Sequence, residues 1–388
     1  MKKILIVNNN MHIGGVQKAL VSLLWSIQDQ YDVTLLLFYK GGAYMKELPP
    51  KVRVITPTSA YRYLGMTKYD TMGLFDKLGR SFFAAITRVF GRSCAIALMG
   101  IGQKRLKGFD VAISYLHNSA DRVFYGGCND FVLNCVSAKK KVTFLHCDYA
   151  GCGADTRKNA VQYAKFDCIA ACSEGCANSF RKVHPQLAEK VQVVCNCHRF
   201  EDIQVKAKSA PVSLSKEKIN LLTVARLGKE KGVERAVHAV AGLGLLKEKL
   251  HYYVVGDGIQ KPLLQQIIKE EKLQNTVTLC GMMDNPYGYM KAADLLFIPS
   301  YSEAAPLVIG EAAYLGTPVL STETSSAKEM IEQTGFGWVC SNTQDSMEAS
   351  LEKLLDRPEL LKEKKNLLEH IAPDNQNALL QFAKIIEA

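Results

Sequence analysis

The chain of 388 residues is poor in the features that mark membrane-spanning, secreted and metal-bound proteins. No run of about eighteen apolar residues occurs, so hydropathy gives no transmembrane helix. No signal-peptide pattern follows Met1-Lys2-Lys3, and a cytosolic location is expected. The twelve cysteines form no CxxC pair. Cys168, Cys172 and Cys176 are each separated by three residues, and no histidine cluster completes a metal site, so they read as buried reduced thiols. No helix-turn-helix, zinc-finger, KH or RNP pattern is present, and nucleic acid is not an expected partner. Acidic residues are scarce in one half only. Residues 1–200 hold 27 Lys and Arg against 13 Asp and Glu, whereas the remainder holds 21 against 25. A basic N-terminal half suits an anionic membrane surface or a phosphorylated lipid.

What is present is a long alternation of apolar runs and helical stretches. Ile4–Val7, Asp32–Phe38, Val52–Ile55, Val111–Tyr115, Val142–Leu145, Cys168–Cys172 and Val191–Val194 read as strands of a parallel sheet covered by helices. A polar, Lys- and Ser-rich stretch from about Phe200 to Lys218 breaks the pattern and reads as the interdomain linker. A second series follows, with strands at Leu221–Val224, Tyr252–Val255, Val277–Leu279, Leu295–Ile298 and Val319–Leu320 and helices near 232–248, 260–272, 286–292 and 306–315. The expectation is two doubly wound α/β domains, 1–205 and 206–372. A C-terminal helix over 373–388 is expected to cross back to the first domain. Between the early strands, residues 75–107 interleave aromatic and basic residues at near-helical spacing, from Phe75 through Phe82, Phe83 and Phe90 to Lys104-Arg105-Leu106-Lys107. This is the pattern of an interfacial membrane helix and equally of a surface helix packed on the sheet.

Several loops at expected strand ends carry residues suited to an anionic ligand. Gly14-Gly15 follows the first strand and opens a helix, although it is not GxGxxG and no ribose-binding acid is placed for a nicotinamide site. Arg226 and Lys231 lie in the loop after Leu221–Val224, where two cations can neutralise a diphosphate. Gly281-Met282-Met283 ends another strand with apolar side chains that could support a nucleobase. In Ser302-Glu303-Ala304-Ala305-Pro306-Leu307-Val308-Ile309-Gly310-Glu311, two carboxylates flank an expected helix start. With Pro306 as first helical residue, Ala305 is the cap and cannot accept from the first-turn amides, so Pro306, Leu307 and Val308 open a helix end available to a phosphate.

The order Arg226, Lys231-Gly232, Val255-Gly256-Asp257-Gly258, Gly281, Pro299-Ser300, Ser302-Glu303 through Glu311-Ala312 and Gly316-Thr317-Pro318-Val319 resembles the retaining GT-B glycosyltransferases of family 4. The likeness is close over 219–340 and looser through Gly14-Gly15, His146-Cys147-Asp148-Tyr149 and Val194-Cys195-Asn196. It implies a GT-B fold, two Rossmann-like domains facing across a cleft. It assigns Glu303 to the donor sugar, Glu311 to the ribose, Arg226 and Lys231 with Gly15 to the diphosphate, and His146 to the sugar and the transition state. The family has Gly and a bulky residue where Ala304 and Ala305 stand, which alters the sugar pocket. Since no DxD motif occurs, no metal and no other cofactor is expected, and the cations and helix end must hold the diphosphate.

The implied reaction is retaining transfer from a nucleotide sugar, UDP-linked by preference, to a lipid-linked or polysaccharide acceptor by an enzyme peripheral on the inner membrane face. A nucleotide-sugar epimerase on the same fold and a non-catalytic partner subunit are the alternatives.

Overall fold

The computed structural model describes every residue except 68, 69, 71, 152, 372 and 388. It divides into two units, Met1–Cys197 with the segment from Asn375 onward, and His198–Asp374. Ala372 and Ala388, the expected ends of the second domain and of the C-terminal segment, lie outside the described residues.

The first unit holds seven parallel strands: β1 (Lys3–Asn8), β2 (Asp32–Leu37), β3 (Arg53–Ile55), β4 (Leu106–Ser114), β5 (Val136–Leu145), β6 (Cys168–Ala171) and β7 (Val191–Val193). Their order is β3-β2-β1-β4-β5-β6-β7. The second unit holds β8 (Ile219–Val224), β9 (Leu250–Val255), β10 (Val277–Gly281), β11 (Leu295–Ile298), β12 (Val319–Thr322) and β13 (Gly337–Cys340), ordered β10-β9-β8-β11-β12-β13. Both sheets are covered on both faces, which is why their strands read as nearly continuous apolar runs. In β1, Ile4 and Ile6 pack with Leu20 and Leu24 of the helix Gly15–Ile27, while Leu5 and Val7 pack with Phe38, Tyr61 and Phe131. In the second unit Leu221 and Leu222 divide between the two faces in the same way. The strand order reverses at β1/β4 and at β8/β11. Open parallel sheets bind ligands beyond the carboxyl ends of such a pair.

Three elements differ from the sequence expectation. The segment 200–218 is not linker throughout: Phe200–Ser209 is a helix whose Ile203 and Ala207 pack with Ile309 and Ala312, so the division falls at 197/198 instead of 205/206. Segment 75–107 is not one helical run. Gly91, at φ +85°, separates the helices Leu74–Phe90 and Arg92–Met99, and Leu106 and Lys107 already belong to β4. The edge strand β13 has no counterpart in the sequence reading. It is four residues long and opens on Gly337, where a Cβ would lie 1.8 Å from Val319 O. The helix Gln376–Glu387 belongs to the first unit, where Phe382 and Ile385 join the core beside β1 and β2.

Candidate active site

At the carboxyl edge of the second sheet, the loops after β8 and β11 are tied together by close backbone approach. Gly232 has φ +60°, and a Cβ there would stand 2.2 Å from Pro299 O. That carbonyl accepts from Nε and Nη2 of the buried Arg235 at 2.9 and 2.6 Å, and the guanidinium lies 3.8 Å over the Tyr301 ring. Tyr301 N donates to Glu230 O at 2.9 Å. From below, Gly256 supports the same loop, since a Cβ there would fall 1.8 Å from Ala225 O. The glycines of this region are therefore packing requirements.

The scaffold brings Lys231 and Glu303 together. Lys231 Nζ lies 2.6 Å from Glu303 Oε1, which also accepts from Ser300 Oγ at 2.7 Å, and Ser325 Oγ donates to Glu303 O at 2.7 Å. Both side chains retain partial exposure, at 24% and 12%. Arg226 does not join this contact. Its Nη2 lies 2.6 Å from Glu230 Oε1, and its side chain is 75% exposed. The helix carrying Glu311 spans Leu307–Tyr314, with Pro306 as its cap and no side-chain capping bond. The expected helix start is thus one residue early: Pro306 has ψ 120°, outside the helical range, and Ala305 is not the cap. Glu311 is 1% exposed on this helix. Gly281 ends β10 at φ +77° with Met282 exposed beside it. Among the described residues, no three His, Cys, Asp or Glu side chains come together as a metal-ligand set.

At the carboxyl edge of the first sheet, β1 runs into the buried Asn8, Asn9 and Asn10. Asn10 Nδ2 donates to Gly65 O at 2.7 Å. The loop continues through His12, held 3.1 Å from Asp70, to Gly14 and Gly15. A Cβ on Gly15 would meet nothing within 4 Å, so internal packing does not demand glycine there. His146 follows β5, stacked on Phe144 at 5.7 Å and tilted against Tyr115 at 4.7 Å. Its Nε2 is buried without a hydrogen-bond partner. Burial pushes its imidazole down to about 3, and His117 adds to the shift. Burial alone pushes His117, three residues beyond β4, down to about 4. Its Nδ1 is likewise buried and unpartnered, as is Asn8 Oδ1. The sequence reading passed over His117, although a histidine just past a buried strand is the same signal that marked His146.

Residues 205–368 match the family model described as glycosyl transferases group 1. The match covers less than half of the chain. Among its relatives is an N-acetylgalactosaminyltransferase of Campylobacter jejuni acting on N-acetylgalactosamine-N,N'-diacetylbacillosaminyl-diphospho-undecaprenol, 30% identical over 206 residues, 53% of this chain and 55% of that protein. Another is the alpha-D-kanosaminyltransferase of Streptomyces kanamyceticus, 28% identical over 184 residues, 45% of this chain and 46% of that protein. The chain thus spans about half the length of these relatives. Anabaena Alr3699/HepE, solved with UDP and glucose, superposes over 100% of both chains with a TM-score of 0.69 at 18% identity. WaaG, involved in lipopolysaccharide biosynthesis, covers 98% of each with a TM-score of 0.61 at 17% identity. The fold is GT-B, built from two Rossmann-like units.

Proposed function

We propose that this chain is a group 1 glycosyltransferase, retaining and metal-independent, that moves a sugar from a nucleotide donor, UDP-linked by preference, to a lipid-linked or polysaccharide acceptor. The observation that carries this reading is the Lys231–Glu303 contact at the β8/β11 switch point. Both contacts of the carboxylate fall on Oε1, which leaves Oε2 for a donor-sugar hydroxyl. Lys231, Arg226 and the amides of Pro306-led Leu307 and Val308 supply positive potential for the diphosphate. Glu311 holds the ribose, and Gly281 and Met282 border the base. In the reaction the bond from the anomeric carbon to the phosphate oxygen breaks, and the glycosidic bond forms on the same face. The acceptor proton passes to the departing phosphate. His146, neutral at working pH, hydrogen-bonds the sugar, and Gly15 leaves room for phosphate to approach the backbone.

UDP in the HepE complexes and the undecaprenol-linked substrate named for the Campylobacter relative support the donor and acceptor classes. The basic N-terminal half and that acceptor class support a peripheral site on the inner membrane face. Among the described residues no helix is long and apolar enough to cross a membrane.

A thermal-shift panel of UDP-, GDP- and ADP-sugars tests the donor reading. One of them should raise Tm by several degrees, and Glu311→Ala should remove that shift. The donor so found should turn over undiminished in EDTA, and NMR of the product should show the donor's anomeric configuration kept. A panel in which no nucleotide sugar moves Tm overturns the reading.

A further inference from the structure

We infer that Arg235 is a positioning residue for the transfer reaction, fixing the turn Pro299-Ser300-Tyr301 against which the Glu303 carboxylate is held. The inference rests on the transferase reading above and names a residue which that reading leaves without a role. Arg235 stands in the first turn of the helix Val233–Gly242 and is 6% exposed. Among the described residues none of its hydrogen-bond partners is a carboxylate. Nε and Nη2 both donate to Pro299 O, Nη1 donates to Asn342 O at 3.4 Å, and the guanidinium lies over the Tyr301 ring. A cation taken out of water without an acid bonded to it is unfavourable, and the first turn of a helix is the wrong end of the dipole for a positive charge. An apolar side chain of similar length would fill the same space without either penalty. Stability alone does not account for arginine here.

What the guanidinium supplies is geometry. Two N–H groups in a rigid fork hold one carbonyl in place, which the single point charge of a lysine does not. The rest of the turn is held as closely. Thr322 Oγ1 donates to Ser300 O at 2.6 Å, Tyr301 N donates to Glu230 O at 2.9 Å, and Asn342 Nδ2 donates to Tyr301 O at 3.1 Å. Ser300 sits in the middle of the turn, and its Oγ donates to Glu303 Oε1 at 2.7 Å. Arg235 itself makes no hydrogen bond to Ser300 or Glu303. It acts through Pro299 and Tyr301, which bracket Ser300, so a displaced Pro299 carbonyl is passed on to the carboxylate that the proposed reaction uses.

The test is a double-mutant cycle in the full chain, read as nucleotide release from the UDP-sugar that raises Tm in the thermal-shift panel. Arg235→Met should lower kcat about tenfold or more and leave the affinity for UDP by calorimetry within about twofold. In a Glu303→Gln background the same substitution should lower kcat by less than about twofold, because the carboxylate it positions is already gone. Arg235→Lys keeps the charge without the fork and should recover less than about half of the lost rate. Circular dichroism and Tm establish that each variant is folded, and if Arg235→Met does not fold, Arg235→Lys carries the same cycle. Unchanged kcat in the Arg235 variants overturns the inference. So does an equal loss with and without the Glu303 carboxylate, since an arginine that only supports the fold costs the same in both backgrounds. A parent chain that neither binds nor turns over a nucleotide sugar sinks the transferase reading itself, whereas an active parent with equal losses sinks the role of Arg235 alone.

Discussion

Lys231 and Glu303 are 72 positions apart in the chain and 2.6 Å apart in space, which makes each the other's positioning group as well as a candidate ligand contact. Lys231→Ala removes the cation and leaves Glu303 on Ser300 alone, so both donor affinity and turnover should fall, each by about tenfold or more. On the proposed roles Glu303→Ala removes the sugar contact and frees Lys231 to turn to the diphosphate, so kcat should fall on the order of a hundredfold while nucleotide affinity by calorimetry changes little. Equal loss of nucleotide affinity in the two variants would contradict the separate roles. The histidines of the first unit make a different prediction. In the unfolded chain both His117 and His146 return to about 6.5, whereas burial holds them near 4 and 3 in the fold. Below pH 6.5 the unfolded state therefore binds protons that the native state refuses. The stability that goes with neutral imidazoles is complete above about pH 6.5 and falls as pH drops toward 4, by up to about 1.4 kcal/mol per pH unit for each histidine. Tm measured from pH 7 to 4.5 should fall less steeply in His117→Gln than in the parent chain. The pH–rate profile should show no histidine inflection between about pH 5 and 8.

At the level of elements, the loops after β8 and β11 hold the site through Gly232. Gly232→Ala would place a methyl against Pro299 O at 2.2 Å in a backbone conformation that alanine adopts at a cost of roughly 1–2 kcal/mol. The carbonyl must retreat, and with it the residues leading to Glu303. A lower Tm together with weaker donor binding is expected. Loss of Tm alone would show that the two loops are not coupled. This packing also shows where sequence reading reaches its limit. Strands buried on both faces were legible, because an apolar run bounded by glycine or polar residues is a local signal. The edge strand β13 was not legible, because four residues opening on glycine look like a turn. The residues of the candidate site were legible as types in order, while their pairing was not. Arg226 and Lys231 look equivalent in the sequence, yet one turns to Glu230 in its own loop and the other reaches Glu303 across the switch point. Pro306 shows the same limit at one-residue scale: its fixed φ suits both the cap and the first helical position, and ψ, which the sequence does not constrain, selects the cap.

Taken as a whole, the chain completes its first unit with its last helix, so that unit's core depends on residues translated after the second unit. In Gln376–Glu387, Ala378, Phe382, Ile385 and Ile386 are buried, Phe382 meets Tyr31 with ring centroids 6.0 Å apart, and Gln381 Oε1 accepts from Cys195 N at 2.9 Å. Removing residues 375–388 strips three large apolar side chains from the face of the first sheet, a loss on the order of 5 kcal/mol. The second unit has its own core and shares none of these contacts. Calorimetry of the truncated chain should therefore show the first unit's transition displaced downward or absent, with the second unit's retained. Phe382→Ala should give the same polarity at about 3–5 kcal/mol. A nucleotide sugar that stabilises the parent should still raise the surviving transition, because Lys231, Glu303 and Glu311 all lie between residues 198 and 374. Equal loss in both transitions would mean that the two units unfold as one, and the division of labour between them would have to be withdrawn.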